Sequence, residues 1–330
     1  MAMTQSRTKT EIDTAGMPTQ VIGRLLAQWK RRAVQRTFDR YMRWRLPQLV
    51  RPDYPVILKY PVRPNARYGD GKPPHPALGR FFAESQQLYA ETLTAIEPFT
   101  APIGRIAETA TTAAPGEPYW QNIFFSGLDA IVLYGLLGQR RPARYFEVGS
   151  GNSTKFARRA VRDLELQTEI ISLDPRPRAE VDTLCDCVIR EALEDVEMSV
   201  FDRLDAGDVL FIDSSHVVFE NSDVTVFFLE VLPRLKPGVI VHLHDIFLPF
   251  DYPSLWADRH YSEQYLLAAY VLGGASRLHV MAPLAYMSHD PALAALVDAT
   301  WSTPVLQRAF AYNRQLTGGY TGTSLWFSVQ

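Results

Sequence analysis

The chain has 330 residues, with 47% apolar and 21% charged side chains and a formal net charge of −2. These values read as soluble and globular, large enough for one main domain plus an accessory region, and without the overall basic bias of a nucleic-acid binder. No apolar run reaches the roughly 18 residues of a membrane span, and Met1–Gly16 is too polar for a secretory signal core. The two cysteines, Cys185 and Cys187, are poor disulfide partners for each other and too few for a zinc site. The expectation is reduced thiols in a cytoplasmic protein.

In chain order, residues 1–18 read as a disordered tail. A helix is predicted over Gln20–Arg45. Within residues 21–46, eight Lys and Arg stand against one acid, Asp39. Such a helix suits peripheral contact with an anionic membrane or a protein partner, or simple packing on the main domain; both stay open. Arg51–Pro76 holds seven of the 23 prolines and reads as an extended, wrapping segment. Helices are predicted over Leu78–Ile96 and Asn122–Leu137. The basic helix, the Pro-rich segment and the following helix make up residues 19–117, and the main domain is placed at 118–330.

From Arg144 onward, strands and helices alternate. Strands are predicted at Arg144–Val148, Glu169–Leu173, Cys187–Arg190, Asp208–Ile212, Val239–Leu243, Leu278–Ala282 and Ser324–Val329. Helices between them include Ser153–Leu164 and Val224–Leu235. This is the pattern of an α/β, Rossmann-like, doubly wound and mostly parallel sheet, with ligands at the carboxyl ends of its strands.

The first strand ends in Glu147–Val148–Gly149–Ser150–Gly151. The two glycines permit a tight turn and close backbone approach. The helix that follows offers free N–H groups to a carboxylate. Glu147 is placed to receive an ammonium or order water beside it. Asp174, 25 residues after Gly149, ends the second strand, where it can accept from ribose hydroxyls. Glu191 and Ala192 follow the third strand, and Asp213 ends the fourth. This set of charges fits S-adenosylmethionine better than a dinucleotide, whose fingerprint requires a third glycine near Thr154.

With these residues in order, and with the Leu235–Lys236–Pro237–Gly238 turn, the chain resembles the class I S-adenosylmethionine-dependent methyltransferases over about Tyr119–Gln330. The resemblance implies a seven-stranded sheet with a reversed C-terminal edge strand. It also implies cofactor contacts from Glu147, Gly149, Ser150, Gly151, Asp174, Glu191, Ala192 and Asp213.

The reacting end is read at the carboxyl edge of the fourth and fifth strands, Asp213–Ser214–Ser215–His216 and His242–Leu243–His244–Asp245, the two motifs that mark a subgroup. Two schemes fit. Asp213 and Asp245, with His244 or alternatively His216, can hold Mg²⁺ or another divalent cation that lowers the pKa of an acceptor hydroxyl; here the chain is similar to metal-dependent O-methyltransferases, although it carries His244–Asp245 where they carry an acidic pair. Alternatively His216 or His244 serves as general base, oriented by Asp213 or Asp245. The aromatic, Pro-rich stretch Phe247–Trp256 is expected as a substrate lid or as a packed loop. The acceptor is expected to be a small molecule or glycan hydroxyl. Nucleic acid is not expected, because the edge lacks an Asn/Asp-Pro-Pro-aromatic pattern. The competing reading is a non-catalytic, Rossmann-like binding module recruited through its basic helix.

Overall fold

Strands form where the sequence runs apolar without alternation. β1 (Arg144–Val148), β2 (Glu169–Leu173), β4 (Val209–Ile212) and β5 (Ile240–Leu243) are buried along nearly their whole length. That is the mark of strands covered on both faces by helices. The computed structural model describes residues 62–177, 180–274 and 277–330. The chain divides into Met1–Arg63 and Pro64–Gln330, and the second unit is described below. The tail at 1–18, the basic helix Gln20–Arg45 and the Pro-rich segment up to residue 61 lie outside the described residues. Among the described residues, no helix is long and apolar enough to cross a membrane.

With β3 (Cys187–Ile189), β6 (Leu278–Pro283) and β7 (Leu325–Val329), the sheet has seven strands in the order β3-β2-β1-β4-β5-β7-β6. The first five are parallel. β7 runs antiparallel to both β5 and β6, with β6 outermost. The strand order reverses between β1 and β4, where an open α/β sheet leaves a crevice for ligands.

The helical stretch expected at Leu78–Ile96 is two helices, α1 (Pro76–Ala83) and α2 (Gln86–Ile96), because Ser85 leaves helical geometry with φ −121°. α3 (Gly127–Arg140) begins later than the expected Asn122. The Asn122 side chain explains this. Its Oδ1 accepts from the Phe124 and Phe125 N–H groups, and its Nδ2 donates to the Tyr119 and Phe125 carbonyls. An Asn that satisfies nearby backbone in this way holds a turn instead of a helix. α4 (Asn152–Asp163) follows β1 and buries Phe156, Ala157 and Ala160.

After β4, α5 (Asp223–Val226) passes through a π-helical turn (Phe227–Val231) into α6 (Leu232–Arg234). α7 (Glu263–Leu272) precedes β6, and α8 (Leu284–His289), α9 (Pro291–Thr300) and α10 (Pro304–Thr317) lead to β7. The aromatic loop after β5 is packed: Phe247, Phe250 and Trp256 form a buried cluster with Ala285 and Tyr320. Its backbone is tied to the start of the unit, where Asp251 Oδ2 accepts from the Arg67 and Tyr68 N–H groups and the Pro249 carbonyl accepts from His75 N.

Candidate active site

The crevice at the strand-order reversal is built by backbone first. Asp213 N donates to the Val148 carbonyl at 2.9 Å and Gly149 N to the Leu173 carbonyl at 3.0 Å, so the ends of β1, β2 and β4 are locked together. Gly149 has φ +81°, and a Cβ there would overlap the Asp213 carbonyl oxygen. Only glycine meets both conditions without strain. Asp174 then fixes the turn: its Oδ2 accepts from Ser150 N at 2.8 Å and its Oδ1 from Arg176 N at 2.7 Å. Each oxygen keeps a lone pair for a further donor.

Two adjoining cavities open here. One, of about 280 Å³, is lined by Gly149, Ser150, Asp174, Ala192, Leu193 and Asp213 among others. The second, of about 150 Å³, lies at the start of α4 and is lined by Tyr119, Ser150, Gly151, Asn152, Ser153 and Lys155, with Asp213 again. The second offers an anion the N-terminus of a 12-residue helix.

A third cavity, of about 450 Å³, lies on the far side of Asp213. It is lined by Asp129, His216, His244, Asp245, Trp256, Arg259 and Tyr261, among others. At its floor, His216 Nε2 lies 3.1 Å from Asp213 Oδ1 and 3.6 Å from Asp245 Oδ2, while His216 Nδ1 is 2.8 Å from Glu263 Oε2. His244 Nδ1 lies 3.5 Å from Asp213 Oδ1 and 3.6 Å from Asp245 Oδ1, and His244 Nε2 is 4.0 Å from Asp129 Oδ2. His216 and Asp245 both adopt left-handed backbone angles, φ 60° and 56°, which for residues of this kind is a conformation held by surrounding structure.

Burial alone would strip these imidazoles of their protons, but the carboxylates facing them win. His216 is raised well above its ordinary value by Asp213, Glu263 and Asp245. His244 is pushed up to about 9 by Asp245, Asp213 and Asp129. Burial would raise Asp213 in turn, yet the two histidines hold it well below the usual carboxylate range.

The sequence-assigned residues fall into place unevenly. Gly149, Ser150, Gly151, Asp174, Ala192 and Asp213 line the two smaller cavities. Glu147 lines none of the three. It is fully buried, where the Ser153 hydroxyl donates to its Oε1 and the Thr154 hydroxyl to its Oε2 at 2.8 Å. Two hydroxyls in the first turn of α4 therefore draw it inward, away from the ammonium role assigned to it. Glu191 is exposed, because the turn that closes Asp195 N and Val196 N onto the Ala192 carbonyl presents Ala192 and Leu193 to the crevice instead. Asp213, His216 and Asp245 bring potential ligand atoms within 4.8 Å of one another. Of the two candidate histidines, His216 stands in this cluster, and His244 borders the same two carboxylates.

His242 belongs to the core. It stacks on Trp326 at 3.8 Å, bonds Ser324 Oγ at 2.7 Å and is pushed well below its ordinary value by burial.

Two buried acids of this site escaped the sequence reading. Asp129, in the first turn of α3, accepts from Thr323 N and Ser324 N at 2.8 Å each. Glu263 opens α7 and holds His216. Neither stands at a strand end, and their partners are distant in sequence, so only an acid inside an otherwise apolar helix, as at Asp129, offered a signal.

A family model described as a methyltransferase domain matches residues 146–246. By this match the stretch is similar to a methyltransferase domain. It runs from β1 to just past β5, and so includes the glycine turn, Asp174, Asp213, His216, His244 and Asp245. No curated protein matches the chain at a significant level. Among solved structures, the chain is similar to the plantazolicin methyltransferase BpumL in complex with S-adenosylhomocysteine, at 13% identity and a TM-score of 0.37, over 77% of this chain and 89% of that one. It is also similar to the S-adenosylhomocysteine-bound Podospora anserina methyltransferase PaMTH1, at 15% identity and a TM-score of 0.33, over 61% and 89%. Likeness this distant assigns no substrate.

Proposed function

We propose that this methyltransferase uses S-adenosylmethionine to methylate a hydroxyl of a small molecule or glycan, with a divalent cation at the Asp213–His216–Asp245 cluster. The observation that carries the proposal is the position of Asp213, which lines all three cavities. A donor on one side and an acceptor on the other would meet across that residue, and holding reactants together in this way can remove several kcal/mol from the barrier.

The residues present fit the cofactor. The larger donor-side cavity, with Asp174 at its wall, suits a nucleoside, and the α4 N-terminus with Lys155 suits a carboxylate. Asp213 is the acid that lines both cavities, so it replaces Glu147 as the partner for an ammonium. When bound, S-adenosylmethionine supplies an electrophilic methyl group on a sulfonium.

The donor set also fits a cation. His244 Nδ1 is buried without a hydrogen-bond partner beside the two carboxylates, and an orphaned buried nitrogen of this kind is the state a metal ion relieves. A mixed nitrogen and oxygen set suits Mn²⁺, Fe²⁺ or Zn²⁺ more than Mg²⁺. When bound, such an ion lowers the pKa of a coordinated hydroxyl. Glu263 holds the His216 ring through Nδ1 and leaves Nε2 turned toward Asp213 and Asp245, the outer support that ligating histidines use.

The test is methyl transfer from labelled S-adenosylmethionine to a panel of phenols, sugars and polyketides, before and after chelation. Transfer lost on chelation and restored by Mn²⁺ supports the cation. Transfer indifferent to chelation points instead to His244 as base, with Asp129 behind it.

A further inference from the structure

The acceptor cavity has ends of opposite charge. Buried Asp129 and Asp245 and half-buried Asp213 stand at its floor, and exposed Arg259 stands at its mouth. The Arg259 guanidinium carbon lies 3.7 Å from the Trp256 ring centroid and 5.5 Å from that of Tyr261. Trp256 is itself fixed, because its indole N–H donates to the Leu316 carbonyl at 2.9 Å. Tyr261 packs 5.9 Å from Trp256 and 4.5 Å from His216, centroid to centroid. A row of rings therefore leads from the histidine at the floor to the guanidinium at the mouth.

Among the described residues, Arg259 has no ion-pair partner and none of its guanidinium N–H groups is taken by a hydrogen bond. Two other polar groups of that wall are engaged: Asn313 Nδ2 donates to the Thr321 carbonyl at 2.9 Å, and the Thr317 hydroxyl lies 2.8 Å from both the Asn313 and the Tyr320 carbonyl, between which its single proton is shared. Stacking occupies the face of a guanidinium and leaves its in-plane donors available. That fork matches a carboxylate or a phosphate.

Resting on the methyl-transfer reading above, we infer that the acceptor is a small hydroxylated acid, with its hydroxyl at the Asp213–His216–Asp245 floor and its carboxylate or phosphate on Arg259. Ile123 and Trp256 supply apolar wall for the body between. A volume of about 450 Å³ suits a single small molecule.

The test is calorimetric titration of the full chain, with and without saturating S-adenosylhomocysteine. The probes are 4-hydroxycinnamate against its neutral amide, and glucose 6-phosphate against glucose. At least one acid should bind about tenfold or more tightly than its neutral partner. The pair showing the difference tells carboxylate from phosphate. Arg259→Gln should erase that difference and Arg259→Lys should retain part of it. Failure of both acids to bind, equal affinity within both pairs, or an unchanged preference in Arg259→Gln would overturn the inference. Absence of S-adenosylhomocysteine binding would count against the methyl-donor reading alone, because the acid-against-neutral comparison is also made without it.

Discussion

A side-chain carbon on Gly149 would lie 2.8 Å from the Asp213 carbonyl carbon and overlap the oxygen attached to it. The ends of β1 and β4 approach this closely only because the turn carries no Cβ. Gly149→Ala must adopt positive φ, at about 1–2 kcal/mol, and must also push the two strand ends apart. Denaturant unfolding should show a loss of at least about 2 kcal/mol. A variant as stable as the wild type would mean that the strand ends can separate freely.

The Glu147 carboxyl is pushed up to about 8 by burial, against an ordinary 4.5, despite the hydroxyls of Ser153 and Thr154. Between those values the unfolded chain releases this proton and the folded chain keeps it. The contribution of Glu147 to stability is therefore fully present below about pH 4.5, falls as pH rises through 8, and is level above that. Glu147→Gln should flatten this decline, by an amount on the order of a few kcal/mol between pH 5 and pH 9. Urea titrations of both proteins across that range check it, and parallel pH profiles would refute it.

Much of the frame was legible because it is written locally. The run Val209–Ile212 is apolar without alternation and Tyr145–Val148 is interrupted only by Glu147, and a parallel sheet is what buries both faces of such strands. The glycine turn, Asp174 and Asp213 follow strand ends, where an α/β sheet collects its ligands. What escaped was set by contacts distant in sequence or by side-chain direction. Glu147 reads as a ligand-facing acid until the Ser153 and Thr154 hydroxyls are seen to draw it inward. Asp129 finds its purpose only when Thr323 and Ser324 arrive from the other end of the chain. The choice between His216 and His244 depends on a left-handed backbone at His216 and on Glu263, 47 residues later.

Asp129→Asn keeps an oxygen for the N–H groups of Thr323 and Ser324, so the fold should survive. It removes the charge 4.0 Å from His244 Nε2. Methyl transfer should fall roughly tenfold while S-adenosylhomocysteine affinity is preserved. Steady-state kinetics beside direct titration separate the two effects. A loss confined to cofactor affinity would place Asp129 in the wrong site.

After incubation with Mn²⁺ and desalting, elemental analysis should find about one equivalent bound. Asp245→Asn tolerates the same left-handed backbone but weakens the donor set, and should retain little metal. Equal retention by the variant and the wild type would remove the cation from the cluster.

The central claim is that the crevice between β1 and β4 holds the methyl donor. Calorimetric titration of the full chain with S-adenosylhomocysteine tests it most directly, with Asp174→Ala alongside. One-to-one saturable binding is expected, weakened about tenfold or more in Asp174→Ala, which frees the Ser150 and Arg176 N–H groups and unpins the turn. No binding to the folded wild type at millimolar ligand, or the same affinity in Asp174→Ala, would contradict it.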